Sequence, residues 1–359
     1  MKIFFLLYLF LLRNTNKMNY EPTLNNIIGE RKNTDTPNNV QENFAKIKKA
    51  ALLSKLIYEY DYINNNHTNT NKQKYMVDVK QNMNITTNIT IDFVEKNNIY
   101  FNLVQFIALI DNKDFVKDTA KYFDLLNKKF ENSEIYGYFY NKKRLHSLII
   151  LNHKYKEIIV VFRGSQYIDE WFNNLFIHEK PITFSPNYKI HKGIFSMYSK
   201  KDVDENIYYV LKNLFEFFPD YKKIFTGHSK GGVDSILLAF ELDCKLSKKY
   251  EYEIYTFGNP PIFNTDFANY LHKHPNITIF NVINPDDIIC ILPFTNRFHI
   301  GIEVLLRDNG LFYIYHKKPF KKPFNILRLF FSILNHDLNT YIKNIYNVET
   351  FYNSSLTKD

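Results

Sequence analysis

The residues best suited to chemistry are Gly227-His228-Ser229-Lys230-Gly231, a Gly-x-Ser-x-Gly that follows the apolar Ile224-Phe225-Thr226 and precedes a helix-forming run from Ser235 to Leu242. A strand, a sharp turn and a helix in that order make a nucleophile elbow, in which a strained corner holds the serine hydroxyl clear of the backbone. Glycine is needed on either side because a Cβ there would collide with the neighbouring strand or helix. The first amides of the helix that follows point at whatever oxygen arrives above the serine. Serine is a poor nucleophile until an imidazole takes its proton, and a buried carboxylate must orient that imidazole. The downstream stretch from Asn284 to Pro293 supplies two neighbouring carboxylates, Asp286 and Asp287. On an elbow of this kind the acid and then the base follow the serine along the chain. Past Asp287 stand His299, His316 and His336. His299 lies in an alternating strand pattern from Arg297 to Val304, and His316 precedes Lys317-Lys318 at a strand end. His191 and His228 come before the acid and read as residues that hold loops by hydrogen bonds.

Such groups meet only if the chain carries them to one place. Period-two and β-branched runs predict strands at His146–Leu151, Glu157–Phe162, Lys223–Thr226, Glu251–Phe257, Ile277–Ile283 and Phe298–Leu305. Between and after them, helices are expected at Val203–Phe218, Val233–Leu242, Thr265–His272 and Leu327–Tyr346. Strands alternating with helices make an α/β fold with a mostly parallel sheet flanked by helices on both faces. Its active centre belongs at the carboxyl ends of the strands, where Ser165, Ser229 and Asp287 all fall. The β-branched Ile158-Ile159-Val160-Val161-Phe162 suits a strand buried on both faces that runs out into Arg163-Gly164-Ser165.

Several ordered blocks together resemble a known family. Phe162-Arg163-Gly164-Ser165, a short segment with the single Trp171, His191-Lys192-Gly193, a long helix, Gly227-His228-Ser229-Lys230-Gly231-Gly232, Thr256-Phe257-Gly258-Asn259-Pro260 and Asn284-Pro285-Asp286-Asp287 follow the pattern of the class 3, or fungal-type, lipases of the α/β-hydrolase superfamily. The resemblance runs from about Ile158 to Pro293 and implies an α/β-hydrolase fold and a serine ester hydrolase that frees fatty acids from acylglycerols or phospholipids. It makes Ser229 the nucleophile. The family's acid stands directly before an apolar run closed by Leu-Pro, which here selects Asp287, and the family's late histidine corresponds to His336 in Asn335-His336-Asp337. The oxyanion donors fall to Ser165 and to the amide of Lys230. A lysine at this position is a departure from the usual leucine. Its ammonium either points to water or lies near the acyl site, which leaves the substrate class open. Ile168, Trp171, Phe172 and Leu175 have helical spacing and match the family's lid; packing into the core is the other reading. The resemblance calls for no cofactor and no metal, and for a lipid substrate at a membrane or droplet surface. A soluble carboxylesterase without interface preference and an inactive lipase-like module that binds lipid or protein are the alternatives.

Composition bounds these readings. A 359-residue chain that is 45% hydrophobic and 17% aromatic has material for one large core. The net charge of +9 is spread over scattered lysines, which fits a general attraction to anionic lipid surfaces, and no nucleic-acid recognition motif is present. The cysteines Cys244 and Cys290 allow at most a single disulfide and lack metal-ligand spacing, with Cys290 expected as a small buried core residue. Asn/Lys-rich composition makes the Asn-x-Ser/Thr sequons at Asn66, Asn84, Asn88, Asn276 and Asn353 weak evidence for glycosylation. Residues 1–18 form an apolar amino-terminal segment behind Met1-Lys2, read as a signal peptide or anchor, since Ile3 to Leu12 falls short of the roughly 20 residues a spanning helix takes. This points to the secretory pathway, secreted or membrane-associated, with a cytoplasmic protein as the alternative. Residues 19–43 read as a polar linker, 44–349 as the lipase-like domain with an Asn-rich insertion at about 64–98, and 350–359 as a tail. A helix is expected from Phe44 to Tyr62, and the amphipathic stretch Ile99–Phe130 reads as helical.

Overall fold

The computed structural model describes residues 37–66, 95–96, 99–100, 133–141, 145–165, 179–192, 195, 198, 201–284, 286–291, 299–306, 312–315 and 334–356. Helix α1 (Pro37–Asn66) leads into strands β1 (Ser133–Asn141), β2 (Leu145–Asn152) and β3 (Glu157–Phe162), then a hairpin of β4 (Glu179–Ile182) and β5 (Ser185–His191). Next come α2 (Lys201–Phe217), β6 (Lys222–His228), α3 (Lys230–Lys245), β7 (Tyr252–Phe257), α4 (Thr265–His272) and β8 (Ile277–Ile283). Strands β9 (Ile302–Leu306) and β10 (Phe312–Tyr315) and helix α5 (Leu338–Leu356) complete the set. The eight-stranded sheet has the order β10-β9-β8-β7-β6-β3-β2-β1. Its centre, β3, β6, β7, β8 and β9, is parallel, and antiparallel pairs close both edges. This is an α/β-hydrolase fold.

The sheet is buried on both faces, and β3 shows why its sequence lacks a polar side. Ile158, Val160 and Phe162 enter one apolar cluster with Phe215, Ile236, Phe240 and Phe267 of α2, α3 and α4. Ile159 and Val161 enter the other, with Leu53, Leu56 and Ile57 of α1 and Tyr341, Ile342 and Ile345 of α5. A strand whose alternate residues both find helices gains from an unbroken apolar run. Since each fully buried Ile or Val contributes about 1.5–3 kcal/mol, β3 anchors the two layers to one sheet.

The expected strands at Glu157–Phe162 and Ile277–Ile283 and the helix at Thr265–His272 agree with the structure residue for residue. Four differences have local causes. The first helix begins at Pro37, inside the stretch read as linker; proline suits a first helical turn because the amide it lacks would have no partner there. The last helix starts at Leu338, after a 3-10 turn at Leu334–His336, and runs to Leu356, through part of the segment read as tail. The strand expected from Phe298 starts at Ile302, after Gly301 with φ 87°. Ile99–Tyr100, read as helical, pairs with Glu95–Lys96 as a short antiparallel ladder. The lid candidates Ile168, Trp171, Phe172 and Leu175, residues 1–36, and His316 lie outside the described residues. Among the described residues, no helix is long and apolar enough to cross a membrane. Both cysteines are free thiols, Cys244 exposed and Cys290 buried.

Candidate active site

The elbow is built from close backbone approach. A Cβ on Gly227 would lie 2.3 Å from the carbonyl carbon of Gly231, and one on Gly231 would lie 2.4 Å from the Phe162 carbonyl oxygen. Only hydrogen at both positions lets α3 descend onto β3 and β6. Ser229 between them has φ 56° and ψ −127°, a conformation that costs a non-glycine residue about 1–3 kcal/mol. Two backbone bonds hold it there: its N–H donates to Phe257 O at 2.8 Å, and its carbonyl accepts from Gly232 at 3.1 Å. Although Ser229 is the N-cap of α3, its hydroxyl caps nothing. The hydroxyl faces His336 instead.

His336 Nε2 lies 2.9 Å from Ser229 Oγ, and His336 Nδ1 lies 2.7 Å from Asp287 Oδ2. His336 and Asp287 are 2% and 1% exposed. With Nδ1–H donating to the carboxylate, the lone pair of Nε2 faces the serine proton. Asp287 is held by more than the imidazole. The Tyr341 hydroxyl donates to Oδ2 at 2.7 Å, and the Ile289 N–H donates to Oδ1 at 2.8 Å. The Cys290 thiol lies 3.5 Å from Oδ2 and 3.3 Å from the Tyr341 hydroxyl. Burial and then the adjacent Asp287 charge raise the Tyr341 phenol well above its ordinary range, and burial does the same to the Cys290 thiol. Both therefore stay protonated as donors. Gly258 completes the enclosure: at φ 62°, its missing Cβ leaves room for Asp287 Oδ2 and the Tyr341 hydroxyl.

Asp286, next to Asp287, is exposed, and its N–H donates to Asn284 Oδ1 at 3.3 Å. His299 does not reach the serine either: its Nε2 donates to Cys290 O at 2.6 Å, and burial lowers its pKa to about 4. His191 is buried at the end of β5. His228 sits beside the triad geometry, with its Nε2 2.7 Å from His336 O and its Nδ1 2.9 Å from the Tyr58 hydroxyl. Ser165 follows Gly164, whose missing Cβ would stand 3.1 Å from Ser229 Cβ, so the end of β3 abuts the elbow. Lys230 opens α3, where the first amides lack intrahelical acceptors. Its side chain does not extend into solvent. It is 4% exposed and pairs with Asp234, which is 0% exposed, one turn on along the same helix. Tyr58, Tyr341 and Asp234 are the residues that sequence reasoning did not single out. Tyr341 carried a signal in its place five residues past His336 on an apolar helix face, because a buried tyrosine hydroxyl needs a partner.

Residues 159–297 match the family model described as lipase (class 3). Over that stretch the chain is similar to the class 3 lipases. A lipase of Rhizomucor miehei is 32% identical over 163 residues, 43% of this chain and 43% of that one. A secreted mono- and diacylglycerol lipase of Fusarium solani is 28% identical over 138 residues, covering 38% and 40% of the two chains. The chain thus spans about two fifths of the length of the curated relatives it matches. The solved lipase of Rhizopus microsporus var. chinensis superposes with a TM-score of 0.51 at 24% identity, over 58% of this chain and 74% of that one, a likeness of fold. The family match spans β3, β6, β7 and β8 and contains Ser229 and Asp287; His336 lies beyond it.

Proposed function

We propose that the chain is a serine ester hydrolase that releases fatty acids from acylglycerols or phospholipids. The observation that carries this reading is the Ser229–His336–Asp287 arrangement, with 2.9 Å and 2.7 Å between the successive partners. Ser229 Oγ attacks the ester carbonyl carbon while His336 Nε2 takes its proton, and the tetrahedral oxyanion is met by the amides of Ser165 and Lys230. Each such donor contributes about 3 kcal/mol of barrier lowering. On collapse, His336 returns the proton to the leaving alcohol, and an acyl-Ser229 ester remains. Water then attacks that ester with His336 as base, the fatty acid departs, and Ser229 recovers its proton. Asp287 keeps the imidazole in its Nδ1–H form and offsets the positive charge the ring gains in each half.

Similarity to the class 3 lipases over residues 159–297 supports a lipid substrate at a membrane or droplet surface, and likeness to the secreted mono- and diacylglycerol lipase of Fusarium solani supports acylglycerols and secretion. Ile168, Trp171, Phe172 and Leu175 are proposed as the lid over Ser229. A fluorophosphonate probe tests the nucleophile: wild-type chain labels, and Ser229→Ala neither labels nor frees fatty acid from tributyrin. Labelling that persists in Ser229→Ala overturns the assignment. A rate that does not jump when tributyrin passes its solubility limit replaces the lipase with a carboxylesterase.

A further inference from the structure

Tyr58 lies on α1, far along the chain from the elbow, yet its hydroxyl stands between two parts of the site. It accepts the Gly164 N–H at 3.1 Å and lies 2.9 Å from His228 Nδ1. On the opposite side of that imidazole, Nε2 lies 2.7 Å from the carbonyl oxygen of His336. Gly164 precedes Ser165, His228 precedes Ser229, and His336 is the proposed base, so one part-buried path touches the segments of an oxyanion donor, the nucleophile and the base. We propose that Tyr58 and His228 are positioning residues, forming a hydrogen-bond relay that holds the backbone of His336 in register with the elbow and with the end of β3. The inference rests on the reading of Ser229, His336 and Asp287 as a triad.

Donor direction makes the relay one-way. A carbonyl oxygen accepts, so His228 Nε2 must carry the proton to bond His336 O. A neutral imidazole has one N–H, so Nδ1 must then accept, and the Tyr58 O–H is the donor that faces it. With its proton committed to His228, the phenol oxygen still accepts from Gly164 N–H. Were the tautomer reversed, a nitrogen lone pair would face the His336 carbonyl oxygen at 2.7 Å, and the Tyr58 proton would face an N–H. Tyr58 thereby selects the tautomer that fastens the base. Burial, and next the neighbouring His336, hold the His228 pKa well below its ordinary value, which keeps the ring neutral. Neutrality matters here because the His228 and His336 ring centroids are 4.6 Å apart, and a charged His228 would oppose the imidazolium that His336 becomes. The groups around the pair fit this role. The Arg163 guanidinium lies 5.2 Å from the centre of the Tyr58 ring, and the Tyr341 ring meets His228 edge-on at 6.1 Å. Gly164 is required in its turn, since a Cβ there would fall 2.4 Å from the Tyr58 hydroxyl.

The test combines nitrogen-15 NMR of the imidazoles with kinetics on a soluble short-chain ester, using the full chain. In wild type, His228 should be the neutral Nε2–H tautomer from pH 5 to 8. A His228 that is protonated or Nδ1–H at pH 7 overturns the inference whether or not any variant folds. Tyr58→Phe should mix the tautomers, weaken the low-field Nδ1 proton signal of His336, and lower kcat about tenfold with KM unchanged, the loss expected for a hydrogen bond worth about 1.4 kcal/mol. In a His228→Gln background, where the carboxamide brings its own N–H to His336 O, Tyr58→Phe should cost kcat less than threefold. Equal loss in both backgrounds, or an unchanged His336 signal in Tyr58→Phe, reduces Tyr58 to a packing residue. A wild-type chain with the expected His228 tautomer that takes up no fluorophosphonate defeats the proposed hydrolase and leaves the relay standing.

Discussion

Two buried carboxylates, Asp287 beside His336 and Asp234 beside Lys230, are satisfied in opposite ways. Asp287 accepts from an imidazole, a phenol and a backbone amide, all neutral donors, and in the proposed reaction keeps its charge for the ring that becomes cationic. Among the described residues, Asp234 pairs with the ammonium of Lys230, while its Oδ1 is shut from solvent with no hydrogen bond from any of them. Burial raises the Asp234 pKa against the pull of that lysine. A carboxylate that does electrostatic work on another group must not be cancelled by a cation, whereas one that only balances a buried lysine is cancelled by design. Depth alone therefore says little about role, since both residues are at most 1% exposed.

The largest expected effect tests the first half of that contrast. Asp287→Asn keeps the shape but offers an amide to His336 Nδ1, which favours the wrong tautomer, and kcat should fall by about 10⁴ with the fold intact. The check is steady-state hydrolysis beside circular dichroism. Asp234→Asn should cost activity less than tenfold in the same assay, and a loss equal to that of Asp287→Asn would erase the distinction.

The second half concerns stability. Lys230→Met strands the Asp234 carboxylate, and removing one member of a buried ion pair typically costs about 3–5 kcal/mol. The double variant Lys230→Met/Asp234→Leu removes both charges and should recover to within about 1 kcal/mol of wild type, or exceed it. Urea denaturation of the three proteins decides it. If Lys230→Met is as stable as wild type, the buried pair contributes nothing and the contrast with Asp287 loses its energetic side.

A smaller effect appears in acid. His299 has a folded pKa of about 4 and an unfolded value near 6.5, so between those values the unfolded chain holds a proton that the native chain does not. Stability is then full above about pH 6.5 and declines as pH falls toward 4, by on the order of 3 kcal/mol. His228, lowered by burial, adds in the same direction. His299→Gln keeps a donor for Cys290 O and should flatten the fall of Tm across this window. A Tm that falls as steeply in His299→Gln would assign the acid sensitivity to other groups.

The legible parts of this molecule are those where one residue type answers one local need. The elbow glycines and the apolar strand β3 could be read because each is required by geometry within a few positions of itself, whereas Asp287 and His336, which lie 49 positions apart, were selected by the family resemblance. Helix α1 was legible as a helix, but Tyr58 was not legible as a partner of the elbow, because the pairing spans 170 positions and a tyrosine on an apolar helix face looks like packing. Lys230 was ambiguous for a related reason. A lysine after the nucleophile reads as solvated or substrate-facing until Asp234, at helical spacing i+4, is recognised as its buried counterion. The start of α5 was misplaced because the sequence from Leu327 onward reads as one helix-forming run, while His336 itself occupies a 3-10 turn.

Tyr341 sharpens the comparison at its finest level, since it separates holding a carboxylate from charging it. Its hydroxyl donates to Asp287 Oδ2 and accepts the Asn284 N–H at 3.2 Å. Tyr341→Phe removes one neutral donor from Asp287 and leaves a buried amide without an acceptor, for a stability loss of about 1–3 kcal/mol. The imidazole still has its carboxylate, so the tautomer of His336 is unchanged and kcat should drop only a few-fold, far from the loss expected in Asp287→Asn. Comparing thermal unfolding with kcat in Tyr341→Phe therefore divides the roles: a stability loss with near-normal turnover means that the phenol holds Asp287 in place. A fall in kcat approaching that of Asp287→Asn would mean that the phenol proton also sets the basicity of the carboxylate, and that the acid of this site is a Tyr341–Asp287 unit.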